Sequence, residues 1–138
     1  MSHLLDTNIL SEQSRSRPDA NLTAWLASQT PESLWISVIT IGEIERGIAR
    51  LEAREPERAQ RLASWLERTV THFQDRIIPM DQEIAQRWGR MTAATPGLDV
   101  DAIIAATAAV RGLTVATGNI RDFSRFGVAV VDPFSLSP

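Results

Sequence analysis

Short apolar runs alternate with longer stretches of helical periodicity along this chain. Residues 3 to 5 form a brief apolar run that stops at Asp6. Leu34-Trp35-Ile36-Ser37-Val38 is a second run, rich in aromatic and β-branched residues, and Leu113-Thr114-Val115-Ala116 is a third. Ile77-Ile78 predicts a very short strand ended by Pro79, and Val128 to Val131 predicts a last strand or edge. Between these runs, Leu22, Trp25 and Leu26, then Leu62, Trp65, Leu66 and Val70, then Ile84, Ala85, Trp88 and Met91 recur at helical spacing. The stretch from Asp99 to Val110 is apolar almost throughout after an acidic start, which predicts a buried helix. Strands alternating with helices imply an α/β fold whose parallel sheet is covered on both faces.

Punctuation refines the pattern. Asp19, Asp81 and Asp99 are expected helix N-caps, and Pro56 suits the first turn of another helix. Thr40 followed by Glu43 has the form of a capping box, so a helix is expected to open there. Ser11 to Pro18 is expected to be a loop. Gly42 and Gly47 are costly inside a helix and predict a turn or a closely packed neighbour. No repeat or linker divides the chain, so residues 1–138 are expected to form a single domain.

Composition changes this picture little. A 43% hydrophobic content supports a sizeable core, and the absence of cysteine excludes disulfides, thiolate chemistry and a cysteine zinc site. The N-terminus has no leader-like pattern and no apolar run nears membrane-spanning length, so a cytoplasmic protein without a membrane association is expected. All fourteen basic residues are arginine, against seventeen acids, for a net charge of −3. That balance argues against a basic nucleic-acid platform over the whole surface but permits a local arginine track. Arg58, Arg61 and Arg68 mark the wetter faces of one predicted helix, as a solvated face, an RNA approach or a partner surface. No P-loop occurs, and His3 and His72 are too few and too separated for a histidine zinc motif.

Acidic and amide groups stand at comparable places: Asp6 after one strand, Glu43 just after the next, Asp101 opening the buried helix, and Asn119 with Asp122 after the strand Leu113 to Ala116, the fourth in chain order. Remote in sequence, they can converge at the carboxyl edge of one sheet, where open α/β folds bind ligands. Carboxylates gathered there repel one another unless protonated or neutralised, and Mg2+ or Mn2+ prefers such hard oxygen ligands. Each acid also has a plain structural role open to it. Asp6 and Asn8 can cap the next helix, Glu43 can complete the capping box, Asp101 can favour a helix dipole and Asp122 can cap a short turn around Phe123. Asp101 shares a helical face with Ile104, Ala105 and Ala108, which favours a cleft over bulk water, whereas Glu45 turns away from the side of Glu43.

Leu4 through Ser11, Ser37 through Gly47, Asp101 through Ala108 and Thr117 through Phe123 together resemble a PIN-domain protein, specifically a VapC-type ribonuclease toxin of a toxin–antitoxin pair. One Asp-Thr-Asn is a weak signal; the ordered set spans nearly the whole chain. The resemblance implies a three-layer α/β/α sandwich with a central, mainly parallel sheet. It also implies a divalent-metal endoribonuclease, RNA as substrate, a cognate antitoxin and a homodimer. By motif matching, Asp6, Glu43 and Asp101 fall on the acidic metal positions, and Thr7, Asn8 and Thr117 on polar positions that brace them. Asp122 matches an acid that many relatives keep, while Asn119 stands where some carry Asp; Asp122 is taken as the fourth metal-site group and Asn119 as a positioning group. Gly118 departs from the pattern, since an arginine is common there.

The expected reaction is hydrolysis of an RNA phosphodiester by water activated at Mg2+ or Mn2+, because no side chain offers itself as a dedicated general base. Asp6, Glu43, Asp101 and Asp122 are the expected catalytic and metal-binding residues. The alternative is a noncatalytic metal- or RNA-binding regulatory module. A small-molecule phosphatase fits less well, since Asn8 stands where its paired-aspartate motif has a second acid.

Overall fold

Adjacent residues on the central strands point to opposite sides, and each side meets its own core. In the computed structural model, which describes residues 1–97 and 99–135, the strands are β1 (His3–Leu5), β2 (Leu34–Ser37), β3 (Ile77–Ile78), β4 (Thr114–Ala116) and β5 (Val130–Val131). Leu5, Ile36 and Ala116 enter one hydrophobic cluster, whereas Leu4, Trp35 and Val115 enter another. That is the two-residue period of a strand with both faces covered.

The helices divide in the same way. On the first side pack α1 (Thr7–Gln13), α2 (Ala20–Ser28), α3 (Val38–Leu51) and α4 (Pro56–Phe73), through Ile9, Trp25, Ile44 and Leu66 among others. On the second lie α5 (Gln82–Ala94), α6 (Asp99–Arg111) and α7 (Ile120–Ser124), through Ile84, Ile104 and Phe123. The result is the expected three-layer α/β/α sandwich. Its sheet runs in the order β3-β2-β1-β4-β5, and every pairing is parallel. Among the described residues, no helix is long and apolar enough to cross a membrane.

Capping follows the sequence in several places. Asp19 accepts from Leu22 N at 3.0 Å, Asp81 accepts from Ile84 N at 2.9 Å, and Pro56 occupies the first turn of α4. Gly112, with φ of 67°, ends α6 in the left-handed conformation that glycine adopts freely. The capping role expected of the Asp99 side chain falls outside the described residues.

Three expectations are corrected. Ser11 to Gln13 continue α1 as helix; buried Ile9 and Leu10 anchor it, and the loop begins at Ser14, whose N–H returns to Leu10 O at 3.2 Å. The helix after β2 opens at Val38, because Ser37, extended at the strand's end, caps it by accepting from Ile39 N at 3.1 Å. Thr40 and Glu43 therefore lie inside α3, and the capping box is not formed. Gly42 and Gly47 are also interior to α3, and a Cβ built on either meets nothing within 4 Å, so neither makes a turn nor admits a close neighbour. Nothing in the fold explains their cost, on the order of 1 kcal/mol each relative to alanine.

Candidate active site

The strand order reverses at β1: the chain moves from β1 to β2 and β3 on one side, then crosses to β4 on the other. Ligands of open parallel sheets bind beyond the strand C-termini at such a switch point. The register pairs Leu5 with Ala116, so the residues that follow, Asp6 and Thr117, emerge side by side. Asp6 N donates to Ala116 O at 2.9 Å, extending the pairing by one residue.

Asp6 both caps a helix and faces the switch point. Its Oδ1 accepts from Thr7 N at 2.8 Å, which starts α1, and its Oδ2 accepts from the Thr117 hydroxyl at 2.9 Å. The capping and site roles are thus shared between two oxygens of one carboxylate. Thr117 is fully buried, and its hydroxyl also accepts from Asn119 N at 2.9 Å and from Asn8 Nδ2 at 3.5 Å. Gly118 N in turn donates to Asn8 Oδ1 at 3.5 Å.

On the β2 side, the Thr7 hydroxyl donates to Glu43 Oε1 and stands 3.2 Å from the buried Thr40 hydroxyl. Thr40, singled out in the sequence only as a cap, is thereby a support for Thr7. The Thr40–Glu43 spacing suggests a helix start and carries no sign that the Thr40 hydroxyl turns inward.

Electrostatics tie the acids together. Burial, partly offset by the Thr117 and Thr7 hydrogen bonds and reinforced by Asp101 and Glu43, raises Asp6 from 3.8 to about 6. Burial also raises Asp101, and the neighbouring Asp122 and Glu43 raise it further. Asp101 projects half-buried from the first turns of α6, and Asp122, likewise half-buried, from α7. That five-residue helix is too short to persist alone, and fully buried Phe123 fixes it, contributing roughly 2–3 kcal/mol by burial. Asn119 caps α7 by position, with no side-chain hydrogen bond to the helix.

Among the described residues, no three His, Cys, Asp or Glu side chains are gathered closely enough to form a finished metal site. The acids that meet here are nonetheless all carboxylates, and Asp101 and Glu43 disfavour ionisation of Asp6 as Asp122 and Glu43 disfavour that of Asp101, a repulsion that a hard divalent cation could offset. Neither histidine belongs to this group. His3 is buried in β1 with its ring edge-on to Trp25 at 4.9 Å, and burial lowers its pKa; His72 is exposed near the end of α4.

The family model described as PIN domain matches residues 3–129. The chain belongs to the PIN-domain family. This PIN domain is 36% identical to "Toxin FitB" of Neisseria gonorrhoeae, over 95% of its own length and 97% of that protein's. It is 31% identical to "VapC ribonuclease Y4jK" of Sinorhizobium fredii, over 95% and 96% of the two chains. Among solved structures, that of FitAcB from Neisseria gonorrhoeae superposes with a TM-score of 0.86 at 34% identity, covering 97% of this chain and 99% of that one. A toxin–antitoxin complex from Klebsiella pneumoniae gives a TM-score of 0.72 at 29% identity, covering 98% and 100%.

Proposed function

We propose that this PIN domain is the toxin of a toxin–antitoxin pair and acts as a divalent-metal-dependent endoribonuclease on RNA in the cytoplasm. The observation that carries the reading is the gathering of carboxylates from the end of β1 and from α3, α6 and α7 around the strand-order reversal, in a chain whose relatives include a VapC ribonuclease.

Asp6, Glu43, Asp101 and Asp122 would hold Mg2+ or Mn2+. Bound there, the ion supplies charge compensation to the phosphodiester and acidifies water. The protein's own part is orientation. Thr117 and Thr7 N fix the two oxygens of Asp6, the Thr7 hydroxyl fixes Glu43, and Thr40 supports Thr7. Asn8 and Asn119 N both donate to the Thr117 hydroxyl, which leaves its proton for Asp6. Such fixed dipoles keep the acids aimed before substrate arrives.

The partners follow from the same kinship. A toxin–antitoxin complex among the structural neighbours supports a small inhibitory antitoxin, and we further propose a homodimer. Light scattering across micromolar concentrations decides the latter, a concentration-independent monomer being the contrary result.

Purified protein incubated with a mixed RNA set should release fragments with Mn2+, lose that activity in EDTA, and lack it in Asp6→Asn. Cleavage unaffected by both changes overturns the mechanism. Retained RNA binding without any turnover favours the regulatory module instead.

A further inference from the structure

A groove of about 810 Å³ joins the site to α4, with Thr7 and Glu43 among the residues that line it. Its walls carry Arg15, Arg58, Arg61 and Arg68 against the single acid Glu43, a local balance of 4 − 1 = +3 in a chain whose total is −3. On α4, Arg58, Arg61, Trp65 and Arg68 follow one another at spacings of three, four and three, so they form one stripe of the helix. At 1.5 Å per residue that stripe is roughly 15 Å long. Arg15 and Arg58, both exposed, meet Glu12 and Glu55 only in i,i+3 pairs, at 3.2 and 3.5 Å, which contribute little. Among the described residues, Arg61 and Arg68 make no salt bridge, and both are exposed.

We infer that this groove is the track for a single-stranded RNA segment adjoining the scissile bond, with Arg61 and Arg68 on its phosphates and Trp65 offering a stacking edge to a base. The inference rests on the ribonuclease reading above and goes beyond it in placing the strand. Guanidinium groups suit phosphate, and an aromatic between them suits an unpaired base, as sequence-tolerant single-strand binding requires. Half-buried Trp65 is anchored against the core, so the stacking surface is pre-positioned.

The test is fluorescence anisotropy with a 5′-labelled twelve-nucleotide single-stranded RNA and the full chain in EDTA, where binding is read without turnover. The Arg61→Ala/Arg68→Ala double variant should bind on the order of tenfold more weakly, and the slope of log K against log[salt] should shrink by about 1.4, two phosphate contacts at about 0.7 each. Arg87→Ala/Arg90→Ala removes the same charge from α5, on the opposite side of the sheet, and should bind like wild type. Equal weakening by both pairs, or none by the α4 pair, overturns the track even if the wild type cleaves RNA. Groove-dependent binding in a protein that cleaves nothing upholds the track while the nuclease reading fails. A labelled poly-glutamate peptide that needs Arg61 and Arg68 when RNA does not also overturns it, assigning the groove to an acidic protein segment. Circular dichroism melts confirm that each variant is folded.

Discussion

The Thr117 hydroxyl donates to Asp6 Oδ2 at 2.9 Å across 111 residues of sequence, joining the ends of β4 and β1 at the strand-order reversal. This bond favours the ionised form of Asp6 and opposes the burial that raises its pKa. Thr117→Val keeps the shape and removes the donor, so Asp6 should titrate above its present value of about 6. The acid limb of the RNA-cleavage pH profile should move to higher pH, with a stability loss of about 1–3 kcal/mol at neutral pH from the unsatisfied oxygen. Thr117→Ser should restore both. An acid limb that stays in place would remove Asp6 ionisation from the activity.

The raised pKa of Asp6 has a stability consequence of definite sign. An acid whose folded pKa exceeds its unfolded value favours folding most below the unfolded pKa, and that contribution is lost as pH rises from 3.8 through about 6. Above that window the metal-free protein therefore carries a penalty of about 3 kcal/mol from this one group. Asp6→Asn should raise the melting temperature at pH 7.5 in EDTA while eliminating cleavage, and the advantage should shrink as pH falls towards 4. Adding Mn2+ should stabilise wild type but not the variant. A variant less stable than wild type at every pH would contradict the penalty.

The layer order was legible because five apolar runs and their intervening stripes are long enough to encode period and burial together. What escaped was local competition between similar groups. Ser37 and Thr40 are both hydroxyl residues near the start of an apolar helix, and only the strand's end point decides which one caps it. The first helix was hidden because Ser11, Glu12 and Gln13 have no apolar spacing; burial of Ile9 and Leu10 holds their turn. For Asp6, capping and site roles looked like rivals, yet a carboxylate has two oxygens and here each takes one role. The support that Thr40 gives Thr7 depends on contact between residues 33 apart and has no local signature.

Asp122 lies in α7 and Asn119 at its N-cap, and the two differ in what they offer. Asp122 is among the charges that raise Asp101, whereas Asn119 makes no side-chain cap and reaches Thr117 through its backbone N–H. Asp122→Asn should then raise the Mn2+ concentration for half-maximal cleavage severalfold and bring Asp101 closer to its ordinary range. Asn119→Ala keeps the backbone bond and should shift the metal response less. Titrations of activity against Mn2+ for both variants decide the point, the reverse ranking assigning the fourth position to Asn119.

Gly118 occupies the position where the resemblance leads one to expect arginine, and its surroundings show what stands in the way. A Cβ there would lie 3.1 and 3.2 Å from Cδ2 and Cε2 of Phe134, and 3.6 Å from Asn8 Nδ2. Phe134 is half-buried against the first core, which limits where its ring can go, and Asn21 Nδ2 donates to its carbonyl at 2.8 Å, which ties down the backbone that carries it. Gly118 and Phe134 are therefore a matched pair. Gly118→Ala restricts the unfolded chain, a gain of roughly 0.4–1 kcal/mol, but the crowded ring opposes it at a cost of about 1–3 kcal/mol. In the Phe134→Leu background the same alanine should be neutral or stabilising, giving a coupling of about 1 kcal/mol between the positions. Gly118→Arg should be tolerated only in that background, and there it should place a cation beside Asn8 at the edge of the carboxylates. Thermal melts of the four members of the alanine cycle measure the coupling. A value of zero would mean that Phe134 does not hold this position, and the absence of arginine would need another cause.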